Sequence, residues 1–246
     1  LSVKLACTCL CLMLTGPAVA QTSGWTFALS PYVWMPGIGA SVATEWGTVV
    51  VNKSSREVVS KLNVAFMGTF EARHGRWGLI ADLFYADLSQ SRATPLGLLF
   101  SRAQVETEAK ALSAYAAYRI HEDDRTSFDL LAGLRVNALD IDLSLSPGLL
   151  PGQRFGVSET WVDPLIGGRV RFAITDHWFA TAFADVGGFD VGSDFTWQVF
   201  ASLGYQFDDR WSVQGGWRHV AIDKEINGRD VENDFSGPLL GFTVRF

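Results

Sequence analysis

The C-terminal residues of the chain alternate strictly between two kinds of side chain. Read backwards by twos, the apolar series is Phe246, Val244, Phe242 and Leu240. The residues between them are polar or small, and a similar alternation recurs over 162–174, 195–207 and 211–218. A period of two indicates β-strands, because successive side chains of a strand point to opposite faces. The sequence therefore predicts an all-β fold in which strand after strand carries an apolar face.

Short and long connections alternate between these strands. The short connections are 74–76, 121–126, 175–177 and 208–210, and the longer ones are 93–101, 144–155, 188–193 and 224–234. This asymmetry is typical of barrels in bacterial outer membranes, which have tight periplasmic turns and longer external loops. We therefore expect a transmembrane antiparallel up-and-down β-barrel, with the long connections facing the medium.

The strand count follows from this pattern and from the even number that such barrels have. We predict ten strands, although eight or twelve also fit the sequence. The predicted strands are 24–36, 62–73, 76–91, 102–119, 127–142, 158–174, 177–188, 194–207, 210–222 and 235–246. The segment 38–61 is the least regular, and we interpret it as an external hairpin that turns around residues 45–47.

The N-terminus has the features of an export signal. Lys4 precedes an apolar stretch over 5–14, and Ala18-Val19-Ala20 forms a small-x-small cleavage site. We predict a signal peptide over 1–20 and a barrel domain over 21–246. The three cysteines, Cys7, Cys9 and Cys11, then leave with the signal, so the mature chain has no thiol.

The charge of the predicted mature chain excludes one class of partner. Loss of Lys4 leaves 19 basic residues against 26 acidic ones, a net charge of −7. An acidic chain lacks the basic surface that nucleic acid requires. No nucleic-acid partner is therefore expected.

Aromatic residues recur directly after the short connections. They are Trp77, Phe128, Trp178 and Trp211. Aromatic rings at one depth on several strands are typical of the interface between membrane and water. We predict that they form a periplasmic aromatic girdle in contact with outer-membrane lipid.

Several longer segments carry a resemblance to a known group. They are 71–78 together with Asp82 and Tyr85, 161–164, 185–189, 192–194 and 237–241. With them, the chain resembles an uncharacterised family of proteobacterial outer-membrane β-barrel proteins, similar in style to the small opacity-type barrels. The ending Phe242, Val244 and Phe246 resembles the signal read by the outer-membrane assembly machinery. The resemblance implies fold, location and contact with that machinery and with periplasmic chaperones during biogenesis, and it implies no activity.

The alternation also predicts which charged side chains face the lumen. They are Glu71, Arg73, Asp82, Glu106, Glu108, Lys110, Arg135, Asp163, Arg169, Arg171, Asp185, Arg218 and Arg245, with the polar Asn137, Gln198 and Gln214. These residues either pair with one another and fill the lumen or form a charged constriction in a pore. Barrels of about eight strands are filled by their own side chains, whereas open porins need about sixteen. A ten-stranded barrel is therefore expected to be filled.

Residues that could carry chemistry are few. His74, His121 and His177 lie in short connections, and His219 shares a strand face with Trp217, which predicts that it points away from the lumen. We assign no catalytic residue.

The segment 185–194 contains three aspartates, but its spacing does not match an EF-hand loop. Gly and Asp are also ordinary turn residues. No metal and no cofactor is predicted.

Three classes of function remain, in this order. The first is a non-enzymatic barrel with a structural or interaction role in the Gram-negative envelope. The second is a narrow, porin-like channel for small solutes. The third is an enzyme at the cell surface, either lipid-modifying or proteolytic.

Overall fold

A computed structural model describes residues 24–44, 47–93, 100–226 and 229–246. The predicted signal peptide and its cysteines lie outside the described residues. No helix among the described residues is long and apolar enough to cross a bilayer.

The described chain consists of strands and one short helix. Their bounds are β1 Trp25–Trp34, β2 Gly37–Thr44, β3 Gly47–Lys53, α1 Ser55–Val59, β4 Leu62–His74, β5 Trp77–Ala93, β6 Phe100–Glu122, β7 Thr126–Pro147, β8 Gln153–Ala173, β9 Trp178–Gly188, β10 Phe195–Gln206, β11 Trp211–Ile226 and β12 Arg229–Arg245. Most strands run further into the long connections than the sequence predicts. For example, β7 continues to Pro147 and β8 already begins at Gln153.

Ten of these strands close into a barrel. Each pairs antiparallel with its neighbours in the order β1-β4-β5-β6-β7-β8-β9-β10-β11-β12, and β1 pairs with β12 to complete the ring. At this seam Leu29 lies opposite Val244, and the backbones of Phe27 and Phe246 exchange two hydrogen bonds of 3.0 and 2.9 Å. The predicted transmembrane up-and-down barrel of ten strands is confirmed.

The remaining two strands form the hairpin that was expected within 38–61. β2 pairs with β3, with Thr44 opposite Gly47, and β2 also pairs with β12 over Val231–Ser236. The hairpin therefore extends the sheet at the end of the barrel opposite the short turns. Helix α1 follows it and begins with a capping box, in which Ser54 and Glu57 satisfy each other's backbone N–H groups.

Two of the short turns share one local design. The carboxylate of Asp208 accepts hydrogen bonds from the backbone N–H groups of Arg210 and Trp211, both at 2.8 Å. Asp123 does the same for Arg125 and for Thr126, the first residue of β7. These bonds, the one from Arg125 N–H foremost, hold the pKa of Asp123 below its ordinary value. Side chains that accept from the backbone two and three residues later favour tight turns.

The barrel wall is much taller on one side than on the other. Strands β6, β7 and β8 have 23, 22 and 21 residues, whereas β9 and β10 have 11 and 12. About 9–11 residues suffice to cross a bilayer as a tilted strand. The long strands start from the same turn end as the short ones, so their excess length extends beyond the external end of the barrel.

The outward face near the turn end is a band of exposed apolar side chains. It includes Leu29, Phe70, Leu79, Leu83, Leu112, Leu130, Leu134, Ile166, Leu203, Leu240 and Phe242. Buried polar residues such as Asp129, Arg135 and Asp185 lie on the opposite strand faces. Apolar outside and polar inside is the pattern of a barrel surrounded by lipid.

Candidate functional site

The buried charges of the lumen form a connected network, and its part nearest the turns is centred on Asp129. We call this part the turn-side cluster. The Asp129 carboxylate, whose side chain is only 2% exposed, accepts from Arg73 at 3.0 Å, Arg119 at 2.9 Å and Arg169 at 2.8 Å. Glu71 pairs with Arg169 at 2.7 Å and with Arg73 at 3.0 Å. Glu122 pairs with Arg119 at 2.6 Å, so three arginines are matched by three acids.

A second group, the middle cluster, crosses the lumen further from the turns. Arg135 and Asp185 form an ion pair of 2.9 Å, and neither side chain is more than 3% exposed. The Tyr115 hydroxyl donates to Asp185 at 2.8 Å, and the Gln198 amide donates to it at 3.2 Å. The buried charges of Arg135 and Asp185 are thereby paired and hydrogen-bonded, as burial of charge requires.

The middle cluster continues through Gln198 to the other side of the barrel. Arg218 donates to the Gln198 carbonyl oxygen at 2.6 Å and pairs with Asp82 at 3.0 Å. The Tyr32 hydroxyl donates to Asp82 at 2.8 Å and accepts from Arg218 at 2.8 Å. The polar side chains thus span the lumen from β7 to β1.

An apolar layer lies directly beyond this cluster. Three of its residues lie two positions further along a strand than a residue of the middle cluster, and therefore on the same strand face. They are Trp34 after Tyr32, Phe84 after Asp82 and Val220 after Arg218. They pack with Met67, Leu239, Phe200, Ile222 and Phe235. The lumen therefore holds one charged cluster and one apolar layer in succession.

The Gly/Asp-rich connection between β9 and β10 is tied to the barrel by Asp163. This fully buried carboxylate accepts from the Ser193 backbone N–H at 2.7 Å, from Asn137 at 2.9 Å and from the Trp161 indole at 3.1 Å. No three His, Cys, Asp or Glu side chains of the described residues are grouped so that they could hold a metal.

Between the middle cluster and the short turns, the lumen contains a cavity of about 560 Å³. It reaches the β6–β7 turn, where Asp123, Asp124 and Arg125 line it. Arg171 and Arg245 also line this cavity, together with residues of the turn-side cluster. We call it the vestibule.

The structure places the predicted lumen charges, apart from three on β6, in four environments. The turn-side cluster contains Glu71, Arg73 and Arg169; the middle cluster contains Asp82, Arg135, Asp185 and Arg218; Asp163 anchors the β9–β10 connection; Arg171 and Arg245 line the vestibule. The polar residues Asn137 and Gln198 belong to these groups, and Gln214 bonds to Ser202 at 3.1 Å.

The expectation for Glu106, Glu108 and Lys110 was wrong. On β6 the buried lumen residues are Ser113, Tyr115 and Ala117, so the three charged residues fall on the opposite, outward face. There Lys110 pairs with Glu108 at 3.1 Å. This part of β6 extends past the apolar band, where water replaces lipid, so that charged side chains face outward.

Two central lumen charges were not on the predicted list. Asp129 lies six residues before Arg135 on β7, which puts both on one strand face, and Arg119 shares a face with Ser113 and Tyr115. For Asp129, the period of two in the sequence was sufficient to predict that its side chain faces the lumen. Tyr32 and Tyr115 were also missed, because a tyrosine fits the lipid face of a strand as well as the lumen face.

The aromatic residues beside the turns point outward. Trp77, Trp178 and Trp211 are all exposed, and each has an aromatic neighbour: Tyr118 at 4.9 Å, Tyr205 at 5.2 Å and Phe242 at 5.0 Å between ring centroids. Phe128 is half-buried against Gly168.

The C-terminal apolar residues also lie on the outer surface. Exposed Phe246 stacks on Phe27 beside the seam, and exposed Phe242 lies on the same outward face of β12 as Val244.

His219 also lies on the outer surface. Its ring is 4.7 Å from the Trp197 ring, and its Nε2 atom is 3.7 Å from Asp234. Neither partner belongs to the lumen network.

Comparison with solved structures agrees with the topology. No known protein family matches the sequence, and no curated protein matches it. The outer membrane protease OmpT from Escherichia coli is similar over 92% of this chain and 98% of its own, with a TM-score of 0.58 and 10% identity. The chain has an outer-membrane β-barrel fold. The translocator domain of the autotransporter NalP from Neisseria meningitidis is also similar, over 93% of this chain and 90% of its own, with a TM-score of 0.50 and 11% identity.

Proposed function

We propose that this protein is an integral outer-membrane barrel of a Gram-negative bacterium that does not conduct and has a structural or interaction role at the cell surface. The succession of the middle cluster and the apolar layer in the lumen is the observation that carries the proposal. A channel needs a continuous hydrated path, whereas here Arg135, Asp185 and Arg218 are held in a cluster that spans the lumen. The apolar layer around Trp34 and Met67 adds a barrier that ions cross poorly.

The interaction role is supported by the external extension of β6–β8. On its outward face, Lys110 pairs with Glu108 and lies 4.0 Å from Asp140, while Asp142 lies 3.5 Å from Arg154. Such a charged wall is solvated and presents polar groups to the medium. A non-enzymatic role is supported by the position of His219, which is on the outside rather than beside a cleft.

Conductance in planar bilayers tests the closed lumen. We expect the purified wild type to give no steady channel current. The double variant Trp34→Ala, Arg218→Ala removes the largest ring of the apolar layer and one cation of the middle cluster, so it should admit ions. The control Arg154→Ala changes an exposed external residue and should remain silent. A large and steady wild-type current would refute the proposal and place the narrow-channel function first.

Labelling on intact cells tests the orientation. Leu149, in the β7–β8 connection, is 76% exposed, and Asp209 lies in the opposite short turn. With Leu149→Cys, a membrane-impermeant thiol reagent should react on intact cells, whereas with Asp209→Cys it should react only after the outer membrane is permeabilised. The native cysteines are confined to positions 7, 9 and 11, in the predicted signal, so background is expected to be low. The reverse labelling pattern would contradict the proposed orientation.

A further inference from the structure

Two arginines of the vestibule have no acidic partner. The three arginines of the turn-side cluster are balanced by Glu71, Glu122 and Asp129. Within the described part of the chain, neither Arg171 nor Arg245 has a carboxylate within salt-bridge distance. Two guanidinium groups that line the vestibule are therefore without an ion-pair partner among the described residues.

The contacts of these two arginines leave most of their donors free. Arg171 donates one hydrogen bond, to the Gln206 side-chain oxygen at 3.2 Å, and its guanidinium lies 3.5 Å from the centroid of the Phe179 ring. The Phe179 ring fixes the plane of the guanidinium without neutralising it. For Arg245, the Nη1 atom is buried and lacks any hydrogen-bond partner among the described residues, and the same holds for Nη1 of Arg73.

This arrangement is costly unless a further group compensates it. A guanidinium that is removed from bulk water without an anion loses much of its solvation, and five N–H donors per arginine require acceptors. The Asp129 carboxylate is engaged by Arg73, Arg119 and Arg169. Asp123 and Asp124 line the vestibule at the β6–β7 turn, but neither forms an ion pair with Arg171 or Arg245. Water or an anion from outside the chain must therefore supply the missing acceptors, and an anion also compensates the two charges.

The vestibule suits a small ligand in volume and in access. Its 560 Å³ lies within the range of about 300–1,000 Å³ that small-molecule sites occupy. It reaches the short-turn end of the barrel, and its lining residues face the lumen rather than the lipid. A ligand held there would be water-soluble and would enter from the side of the short turns.

We infer that the vestibule is a binding site for a small, multiply charged oxyanion of the phosphate type, held by Arg171 and Arg245. Planar guanidinium forks match phosphate oxygens in bidentate geometry, which favours an oxyanion over chloride. This site is separate from the proposed closure of the lumen, because it lies between the short turns and the middle cluster.

Calorimetric titration of the refolded full-length barrel in neutral detergent tests this inference, with inorganic pyrophosphate as the probe and sodium chloride keeping the ionic strength constant. We expect saturable binding at a single site. Arg171→Gln and Arg245→Gln should each weaken the affinity about tenfold or more, the change expected when a charge-assisted hydrogen bond is removed. The double variant should not bind. Arg154→Gln, on the external wall, should bind like the wild type.

Thermal unfolding provides the second measurement. In buffer with chloride alone, the double variant should unfold at or above the wild-type temperature, because two unpaired charges have been removed. Pyrophosphate should then raise the midpoint of the wild type but not that of the double variant.

Absence of pyrophosphate binding to the folded wild type, or equal binding by the double variant, would overturn the inference. A barrel that conducts but still binds pyrophosphate through Arg171 and Arg245 would refute the closed lumen and support this site. A barrel that carries no current and does not bind pyrophosphate would support the closed lumen and refute this site.

Discussion

Replacing Asp129 with alanine is expected to lower the free energy of unfolding by about 3–5 kcal/mol, the cost of removing one partner from a buried ion pair. The Asp129 carboxylate receives hydrogen bonds from Arg73, Arg119 and Arg169, and its loss would leave these three cations with only Glu71 and Glu122. Water entering from the vestibule would reduce the cost without removing it. The measurement is the urea midpoint of the barrel refolded in detergent or vesicles.

A matched control is available on the external wall of the same strand. Asp142 has a side chain that is 43% exposed and lies 3.5 Å from Arg154. Asp142→Ala should therefore cost less than about 1 kcal/mol, as exposed ion pairs do. If both variants shifted the midpoint equally, the turn-side cluster would not be the buried network described above.

Gly133→Ala is expected to prevent normal assembly of the barrel. A Cβ atom at this position would lie 2.0 Å from the carbonyl oxygen of Ala114 on the paired strand β6, and 2.9 Å from the Tyr115 Cα atom. Both contacts are with backbone, so no side-chain rotation can relieve them. Added atoms in a packed interior typically cost 1–3 kcal/mol even where side chains can move, and the cost here should exceed that range.

The folded fraction can be measured as the heat-modifiable band on gels. We expect it to fall at least about tenfold for Gly133→Ala, because the cost of the backbone contacts should exceed the range for ordinary overpacking. Gly215→Ala is the matched control, because its Cβ would find no atom closer than 3.8 Å. Normal folding of both variants would show that β6 and β7 approach less closely at Gly133 than described.

Much of the architecture was predictable from local patterns. The alternation at 195–207 and 235–246 and the regular spacing of short turns were sufficient for ten strands and a closed barrel, because both are properties of neighbouring residues. The hairpin within 38–61 was also accessible, since two short β-prone runs flank a turn. None of these inferences needed to know which residues meet across the lumen.

The assignment of charged side chains to the lumen was wrong where a single strand passes from lipid into water. Next to lipid, a charged residue on β6 must point inward, but past the apolar band it can point outward into water. Lys110 and Glu108 lie beyond that boundary, while Ser113 and Tyr115 lie before it. The position of the boundary depends on strand tilt and on the depth of the turns, neither of which is a property of the local sequence.

The choice of partners across the lumen was likewise inaccessible. Arg135 pairs with Asp185 and Arg218 with Asp82, in each case from strands that are not neighbours. Such pairs are set by the stagger of the closed sheet. The surplus of Arg171 and Arg245 emerges only once those pairs are known.

The seam between β1 and β12 determines when this molecule becomes stable. It joins residues at opposite ends of the chain, as in the hydrogen bond between Ser30 and Thr243, which are 213 positions apart. Contacts so distant in sequence form late and slowly, because a long loop must be closed before they provide any stabilisation. Until that moment both edge strands offer unpaired backbone groups and an apolar face to any similar chain nearby. The time between emergence of the first strand and arrival of the last is therefore when the protein is most liable to aggregate.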